Sequence, residues 1–548
     1  MVKRFTIVTS CGKVSTEIKT ALPFLLPAYR FNESKKMKKL ALGILSGLIL
    51  SGMAHAGERP NIVFIAVDDL RPELGAYGSN YIKSPNIDRI GKEGMVFDRA
   101  YVQQAVCSPS RTSVMTGTRP DTTKVWDLVT HFRIAQPDIV SLYQHFKQSG
   151  YFVQGMGKLY HGGLDDAPSW SVPWQNPEAV KYALPENMAL ENRQAVAKRK
   201  DKAAGKIAKA EPASSLPPDP DGPPSSGFNM RGPAYEGADV PDNTFTDGKV
   251  AELALASLRE MSKKKEPFFL AVGFIKPHLP FVSPKKYWDM YDPAKIDLAP
   301  NKFRPKDAPE FAVLAGGEIR NYSGIPETAI PDDMARKLKH GYYAAISYTD
   351  AQVGKVLDEL DRLGLRKNTI VVLWGDHGWK LGEHDGWTKH SNMEIDTHAP
   401  LLVSAPGMKA AGAHSQALVE MVDIFPTLAD LAGLPLPAHL EGTSLKPLLD
   451  NPQLPWKSAA FSQYPRSAKV AGGKAIMGYT MVNERYRIVQ WVLREDLSKV
   501  VALELYDHQT DPQENQNIAK RPENAALLKS LQNKLNAGWK AAKPVAMH

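Results

Sequence analysis

Asn61 to Val67 (Asn-Ile-Val-Phe-Ile-Ala-Val) is a continuous apolar run that stops at Asp68-Asp69. Thr369 to Trp374 (Thr-Ile-Val-Val-Leu-Trp) repeats the pattern and stops at Gly375-Asp376-His377. A short apolar run without polar alternation reads as a strand buried on both faces, as in a parallel sheet covered by helices. Two such strands, distant in sequence, can bring their ends together at the carboxyl edge of an open α/β sheet, where ligands bind. Pro267 to Gly273 and Pro400 to Ser404 are further strand candidates. Between these runs the period changes: Val250, Leu253, Ala254, Leu258 and Met261 share one helical face, as do Ile346, Val353, Val356, Leu357, Leu360 and Leu363, closed by Gly364. Helix alternating with buried strand predicts a doubly wound α/β core.

The chain of 548 residues exceeds one minimal domain, and 43% hydrophobic with 23% charged residues excludes disorder, collagen and coiled coil. A large domain over residues 57–451 and a smaller α+β domain over 452–548 are expected, with a Pro-containing junction at Asp450 to Trp456. Beyond it, Tyr479 to Val482, Tyr486 to Val492 and Val500 to Tyr506 read as a short antiparallel sheet and Asn524 to Ala541 as a closing helix. An insertion at about 186–227 breaks the rhythm: Glu191 to Glu211 is rich in Ala, Lys and Arg, and Pro217 to Gly227 in Pro, Ser, Asp and Gly. It reads as an exposed helix followed by an irregular loop, either a neutral surface excursion or part of a substrate cleft.

The formal charge of +9 is concentrated at the front, where nine Lys or Arg against Glu17 and Glu33 give residues 1–56 a net +7 and leave +2 for the rest. That balance excludes a nucleic-acid partner argued from charge. From Met37 the chain reads Lys38-Lys39, an apolar run from Leu40 to Leu50, then Ala54-His55-Ala56, the form of a secretory signal peptide cleaved near Ala56. Residues 1–36 then read as lying upstream of the true start. The run is short for a membrane span, so no stable membrane insertion is expected and the mature protein is expected to be periplasmic or secreted. Of the two cysteines, Cys11 lies in the leader, so Cys107 is left alone and makes no intramolecular disulfide. A lone thiol in an oxidising compartment is either buried in the core or chemically used.

Its neighbours favour the second. Cys107-Ser108-Pro109-Ser110-Arg111, followed by Met115-Thr116-Gly117-Thr118-Arg119, resembles the signature of the type I sulfatases, Cys-x-Pro-x-Arg followed by an apolar-Thr-Gly triplet. The resemblance implies an alkaline-phosphatase-like sandwich: a large mixed, mostly parallel sheet flanked by helices, plus a smaller C-terminal domain. It also implies that Cys107 is oxidised to formylglycine by a formylglycine-generating or anaerobic sulfatase-maturating enzyme. The aldehyde hydrate then offers one hydroxyl to attack sulfur and a second whose deprotonation expels sulfate, where serine would leave a stable ester. By the same resemblance Asp68, Asp69, Asp376 and His377, with Cys107, match the metal ligands. Three carboxylates suit Ca²⁺, with Mg²⁺ second, while His377 is unusual for calcium. Taken alone, Asp-Asp after a strand is as readily a helix cap, so the weight rests on the constellation.

The family pattern implies that Arg111 steadies residue 107, that Lys158 and His161 of Gly157-Lys158-Leu159-Tyr160-His161 bind sulfate and assist its release, and that Lys389 of Trp387-Thr388-Lys389-His390 holds a sulfate oxygen. His278, in Lys276-Pro277-His278-Leu279-Pro280-Phe281, is implied as proton donor to the leaving alcohol. Arg119 to Thr123, Phe274 to His278 and Gly375 to His384 resemble the iduronate 2-sulfatase branch, and Glu504 to Asn515 fits the family's second domain. The likeness spans roughly Arg59 to Asn517 and fails mainly across the insertion. The implied substrate is a sulfated oligosaccharide, a 2-O-sulfated uronate of a glycosaminoglycan or marine polysaccharide, with His131, Arg133 and Trp379 as candidates for contacting it. Two other readings stand beside this one: a phosphomonoesterase or phosphodiesterase of the same superfamily, which would need two Zn²⁺ and a Ser or Thr nucleophile, and a catalytically silent carbohydrate-binding homologue.

Overall fold

The computed structural model describes residues 59–193, 231–468 and 471–544. The leader and most of the insertion lie outside the described residues. Seven strands form the main sheet: β1 (Asn61–Val67), β2 (Met95–Phe97), β3 (Phe152–Gly157), β4 (Phe268–Phe274), β5 (Thr369–Gly375), β6 (Leu401–Ser404) and β7 (Ala413–Ser415). Their order is β7-β2-β6-β5-β1-β4-β3, and only β6 runs antiparallel to its neighbours. This is the mixed, mostly parallel sheet implied by the sequence.

Alternation along β1 explains why no polar residue interrupts it. Ile62, Phe64 and Ala66 enter one hydrophobic core, and Val63, Ile65 and Val67 enter another on the opposite face. Among the described residues four helices matter most here: α1 (Cys107–Thr116), α2 (Thr246–Met261), α3 (Asp332–Arg362) and α4 (Ala525–Ala541). The faces expected around Val250 and Ile346 fall in α2 and α3, although α3 runs 31 residues and starts well before the periodicity is evident. β2 and β7 are too short to announce themselves in sequence.

Register matters more for chemistry than strand count. Val67 pairs with Gly375 on one side and Phe274 on the other, and Gly157 pairs with Gly273, so β5, β1, β4 and β3 end level. Whatever follows these four strands is delivered to one carboxyl edge.

The second sheet contains β8 (Ala460–Arg466), β9 (Ile476–Val482), β10 (Tyr486–Leu493) and β11 (Val500–Asp507), antiparallel in sequential order, with α4 packed against it. β8 shows no strand pattern in the sequence because Ser462, Gln463 and Pro465 interrupt it. It is an edge strand, where Pro is tolerated. Just before it, the buried Lys457 ammonium donates to Asp423 at 2.6 Å and to Glu420 at 2.8 Å, and Glu420 also takes Arg119 at 2.8 Å. Lys457→Met removes one partner of this buried network and leaves Asp423 without a cation. A loss of about 3–5 kcal/mol of unfolding free energy is expected, read from the denaturant midpoint.

Candidate active site

α1 begins at the level edge. All ten of its residues are buried, and its first residue is Cys107, preceded by the extended Val106. The helix therefore points its partly positive end, with unsatisfied N–H groups, at whatever occupies the edge, an arrangement suited to an anion. Arg111 lies one turn further on the same face. Its Nε donates to Asp376 Oδ2 at 2.8 Å and its NH2 lies 3.4 Å from Asp68 Oδ1, while NH1 donates to the carbonyl oxygens of Lys158 and Leu159.

The carboxylates come from β1 and β5. Asp68, Asp69 and Asp376 are fully buried. Asp69 occupies the left-handed region at φ 58°, uncommon for a residue with a side chain. It is held there by its own N–H donating to Asp376 Oδ1 at 3.0 Å and by Tyr342 O–H donating to its carbonyl at 2.7 Å. Three buried carboxylates in contact need cations. Lys158 lies on Asp68 Oδ2, and Lys389 donates to Asp69 at 3.0 Å. Burial alone would raise Asp68, yet Lys158, His278 and Arg111 hold it well below the usual carboxylate range. Asp69 is pushed well above that range, by burial and then by Asp68, Glu318 and Asp376, against the pull of Lys389.

Lys158 reaches this point because two glycines meet. The backbone of Gly157 has φ 69°, and a Cβ there would lie 2.1 Å from the Gly273 carbonyl oxygen; a Cβ on Gly273 would lie 2.2 Å from that of Lys158. β3 and β4 thus close up and the Lys158 N–H donates to Gly273 at 2.9 Å.

His377 Nδ1 faces the Gly378 carbonyl at 3.0 Å, so that nitrogen is the donor and Nε2 is left as an acceptor. Nε2 lies 3.3 Å from Cys107 Sγ, 3.5 Å from Asp69 and 3.6 Å from Asp376. Burial lowers the imidazole to about 4, so it is neutral, the form that ligates metals. Asp68, Cys107, Asp376 and His377 form one group able to hold an ion, and Asp69, Cys107 and His278 form an overlapping one. A third group, Glu394, His508 and Glu514, already has Arg487 among its carboxylates, 2.7 Å from Glu514 and in contact with Glu394. The donor set at Cys107, carboxylates plus one imidazole nitrogen, fits a divalent cation.

His278 follows β4. Its Nδ1 faces the Leu279 carbonyl at 2.6 Å, which turns Nε2 to the site, 3.8 Å from Asp69. Lys276 braces this turn by donating to the carbonyls of His278 and of Pro280, the latter at 2.6 Å, and Asp247 accepts the N–H groups of Ile275 and Lys276 at 2.9 and 2.8 Å. His161 follows Lys158, with its buried Nδ1 unpartnered among the described residues. Burial and then Lys158 bring it down to about 4.

Glu318 is a site residue the sequence reading missed. It lies in a short 3₁₀ turn (Glu318–Asn321), with Oε2 2.8 Å from Lys389 Nζ and Oε1 3.5 Å from His278 Nε2. Burial would raise it, but Lys389 and His278 hold it well below the ordinary range. No motif surrounds it, so only the fold reveals it.

The three expected sugar contacts are engaged elsewhere. Arg133 forks onto Asp166 and also donates to Pro137, Ile139 and Gln144. His131 accepts the Arg133 N–H at 3.1 Å and stacks on Phe132. Trp379 is wholly buried, with the Lys389 ammonium 4.9 Å from its ring centre, so it supports that lysine and offers no open face to a pyranose.

With this geometry in hand, similarity to known proteins is specific. Residues 60–434 match the sulfatase family and residues 382–541 match the N-sulphoglucosamine sulphohydrolase C-terminal family. Iduronate 2-sulfatase of Mus musculus is 35% identical, over 86% of this chain and 93% of that protein. Among solved structures, phosphonate monoester hydrolase from Silicibacter pomeroyi has a TM-score of 0.66 at 21% identity, covering 88% of this chain and 96% of that one. A protein solved in complex with its substrate D-glucosamine-2-N,6-O-disulfate has a TM-score of 0.65 at 22% identity, covering 88% and 98%. Both structural likenesses show the fold alone. The family match over most of the length, together with the identity to iduronate 2-sulfatase, means that the chain belongs to the sulfatase family.

Proposed function

We propose that this sulfatase removes sulfate from a sulfated sugar, with a 2-O-sulfated uronate of a glycosaminoglycan or marine polysaccharide as the candidate substrate, and that it acts after export. In this reading residue 107 works as formylglycine, made by a maturating enzyme, beside one calcium ion. The observation that carries the reading is Cys107 at the buried start of α1, 3.5 Å from Asp68 and 3.3 Å from His377, with Lys158 Nζ at 3.8 Å.

The thiol itself supports the need for conversion. Burial, and then Asp68, push it well above its ordinary value, so the residue as cysteine is protonated and a poor nucleophile. When present, the hydrated aldehyde supplies one hydroxyl for attack on sulfur and a second for its release, and the cation polarises a sulfate oxygen. Asp68, Asp69, Asp376 and His377 would hold that cation. Arg111 fixes Asp68 and Asp376 relative to the first turn of α1. Lys158 and Lys389 place two ammonium groups for the oxygens of a tetrahedral anion. His278 Nε2 is turned towards the site, 3.5 Å from Glu318; burial and then Lys389 hold the imidazole well below its ordinary value, so it must take up a proton before it hands one to the departing alcohol.

Three outcomes are expected. Cys107→Ala should lower sulfate release from sugar sulfates by about 10⁴-fold or more with the melting temperature retained, and full activity in this variant would remove the nucleophile. Chelation of divalent cations should suppress turnover, and Asp376→Asn should do so even where an ion is trapped; undiminished release in both would argue against the cation site. His278→Ala should cost about 10²–10⁴-fold on sugar sulfates and far less on 4-nitrophenyl sulfate, whose leaving group needs no proton. Equal losses on both would reassign His278.

A further inference from the structure

The cations that handle sulfate in the foregoing account are buried or nearly so. The side chains of Arg111 and Lys389 are 1% and 2% exposed and that of Lys158 is 16% exposed. One further cation touches this constellation from outside. Arg231 opens a short strand (Arg231–Pro233) that pairs in parallel with Tyr322–Ser323, and its side chain is 48% exposed.

Glu318 joins the two levels. Its Oε1 lies 3.5 Å from His278 Nε2 and 3.6 Å from Arg231 NH1, while Oε2 holds Lys389 at 2.8 Å. A single carboxylate oxygen therefore separates the guanidinium from the imidazole that faces the leaving alcohol. Arg231 is also preorganised: NH1 donates to Tyr322 O–H at 3.2 Å and the guanidinium lies 5.5 Å from the centre of that ring. Both polar contacts run through NH1, so Nε and NH2 have no partner among the described residues. An arginine fork is the side chain best matched to a carboxylate or sulfate.

The sulfur side of the ester meets Lys158, Lys389 and residue 107, so the alcohol side, which is the sugar, lies towards His278 and hence towards Arg231. Resting on the sulfatase reading above, we propose that Arg231 is the specificity-determining cation of this site. It binds a second anionic group, a carboxylate or a second sulfate, on the sugar whose sulfate is removed. Glu318 sets the spacing between that anchor and His278.

The test compares matured wild type, Arg231→Gln and Arg231→Lys on three substrates: a disaccharide with one 2-O-sulfated uronate, glucosamine N,6-disulfate, and 4-nitrophenyl sulfate, which carries no second anion. Arg231→Gln should lose about ten- to a hundredfold in kcat/KM, chiefly through KM, on at least one of the two sugars, and clearly less on the aryl sulfate. Arg231→Lys should recover part of the loss, because charge is kept and the fork is not. A loss confined to the uronate identifies a carboxylate as the second anion, and a loss on the glucosamine identifies a sulfate. Equal losses on sugars and aryl sulfate, no loss on any, or wild-type turnover of the aryl sulfate with neither sugar a substrate would each overturn the proposal. Failure of matured wild type to cleave any sulfate ester would overturn the sulfatase reading itself, and this inference with it.

Discussion

Asp68, Asp69 and Asp376 lie together without solvent, and such a group persists only if positive charge stands against it. Arg111, Lys158 and Lys389 supply that charge from three separate parts of the chain, each fastened by its own local device. Arg111 comes one turn into a buried helix, Lys158 from a glycine-lined strand end, and Lys389 from a segment resting on Trp379. The carboxylates, with His377, form a group able to hold a divalent cation, and the ammonium groups beside them suit an anion. Stability and chemistry therefore draw on one electrostatic balance, while burial keeps His377 neutral and the Cys107 thiol protonated.

Strand register makes this balance possible. β3, β4, β1 and β5 end level, so Lys158, His278, Asp68 and Asp376 need only short excursions to meet. β1, β4 and β5 were legible in the sequence as uninterrupted apolar runs, and at β1 and β5 the carboxylates that follow mark the edge where the strand stops; β3, with Gln154 and two glycines, was not. The Cys107 signature then marked a residue of that edge, though not the helix that begins with it. β2, β7 and β8 were not legible: the first two are too short for a period to show, and β8 carries Pro465 and polar residues that an edge strand tolerates.

Site residues outside motifs were the harder part. Glu318 and Arg231 stand in stretches of no distinctive pattern, and their importance comes from contacts with His278 and Lys389 that sequence cannot express. Arg133, His131 and Trp379, chosen for nearness to motifs along the chain, are each held by local partners. Arg133 is spent on Asp166, His131 caps a turn, and Trp379 is a buried floor. Nearness in sequence is a poor guide at a strand edge, where residues adjoining a motif fan out towards different layers, whereas a half-exposed arginine bridged to the acid–base group is a guide taken from space.

The account turns on the chemical state of residue 107. Mass analysis of the peptide containing it, across preparations matured to different extents and assayed in parallel for sulfate release, tests that most directly. Specific activity should rise in proportion to the fraction in which one oxygen has replaced the sulfur and two hydrogens. Full activity in material that retains the Cys107 thiol throughout would contradict it.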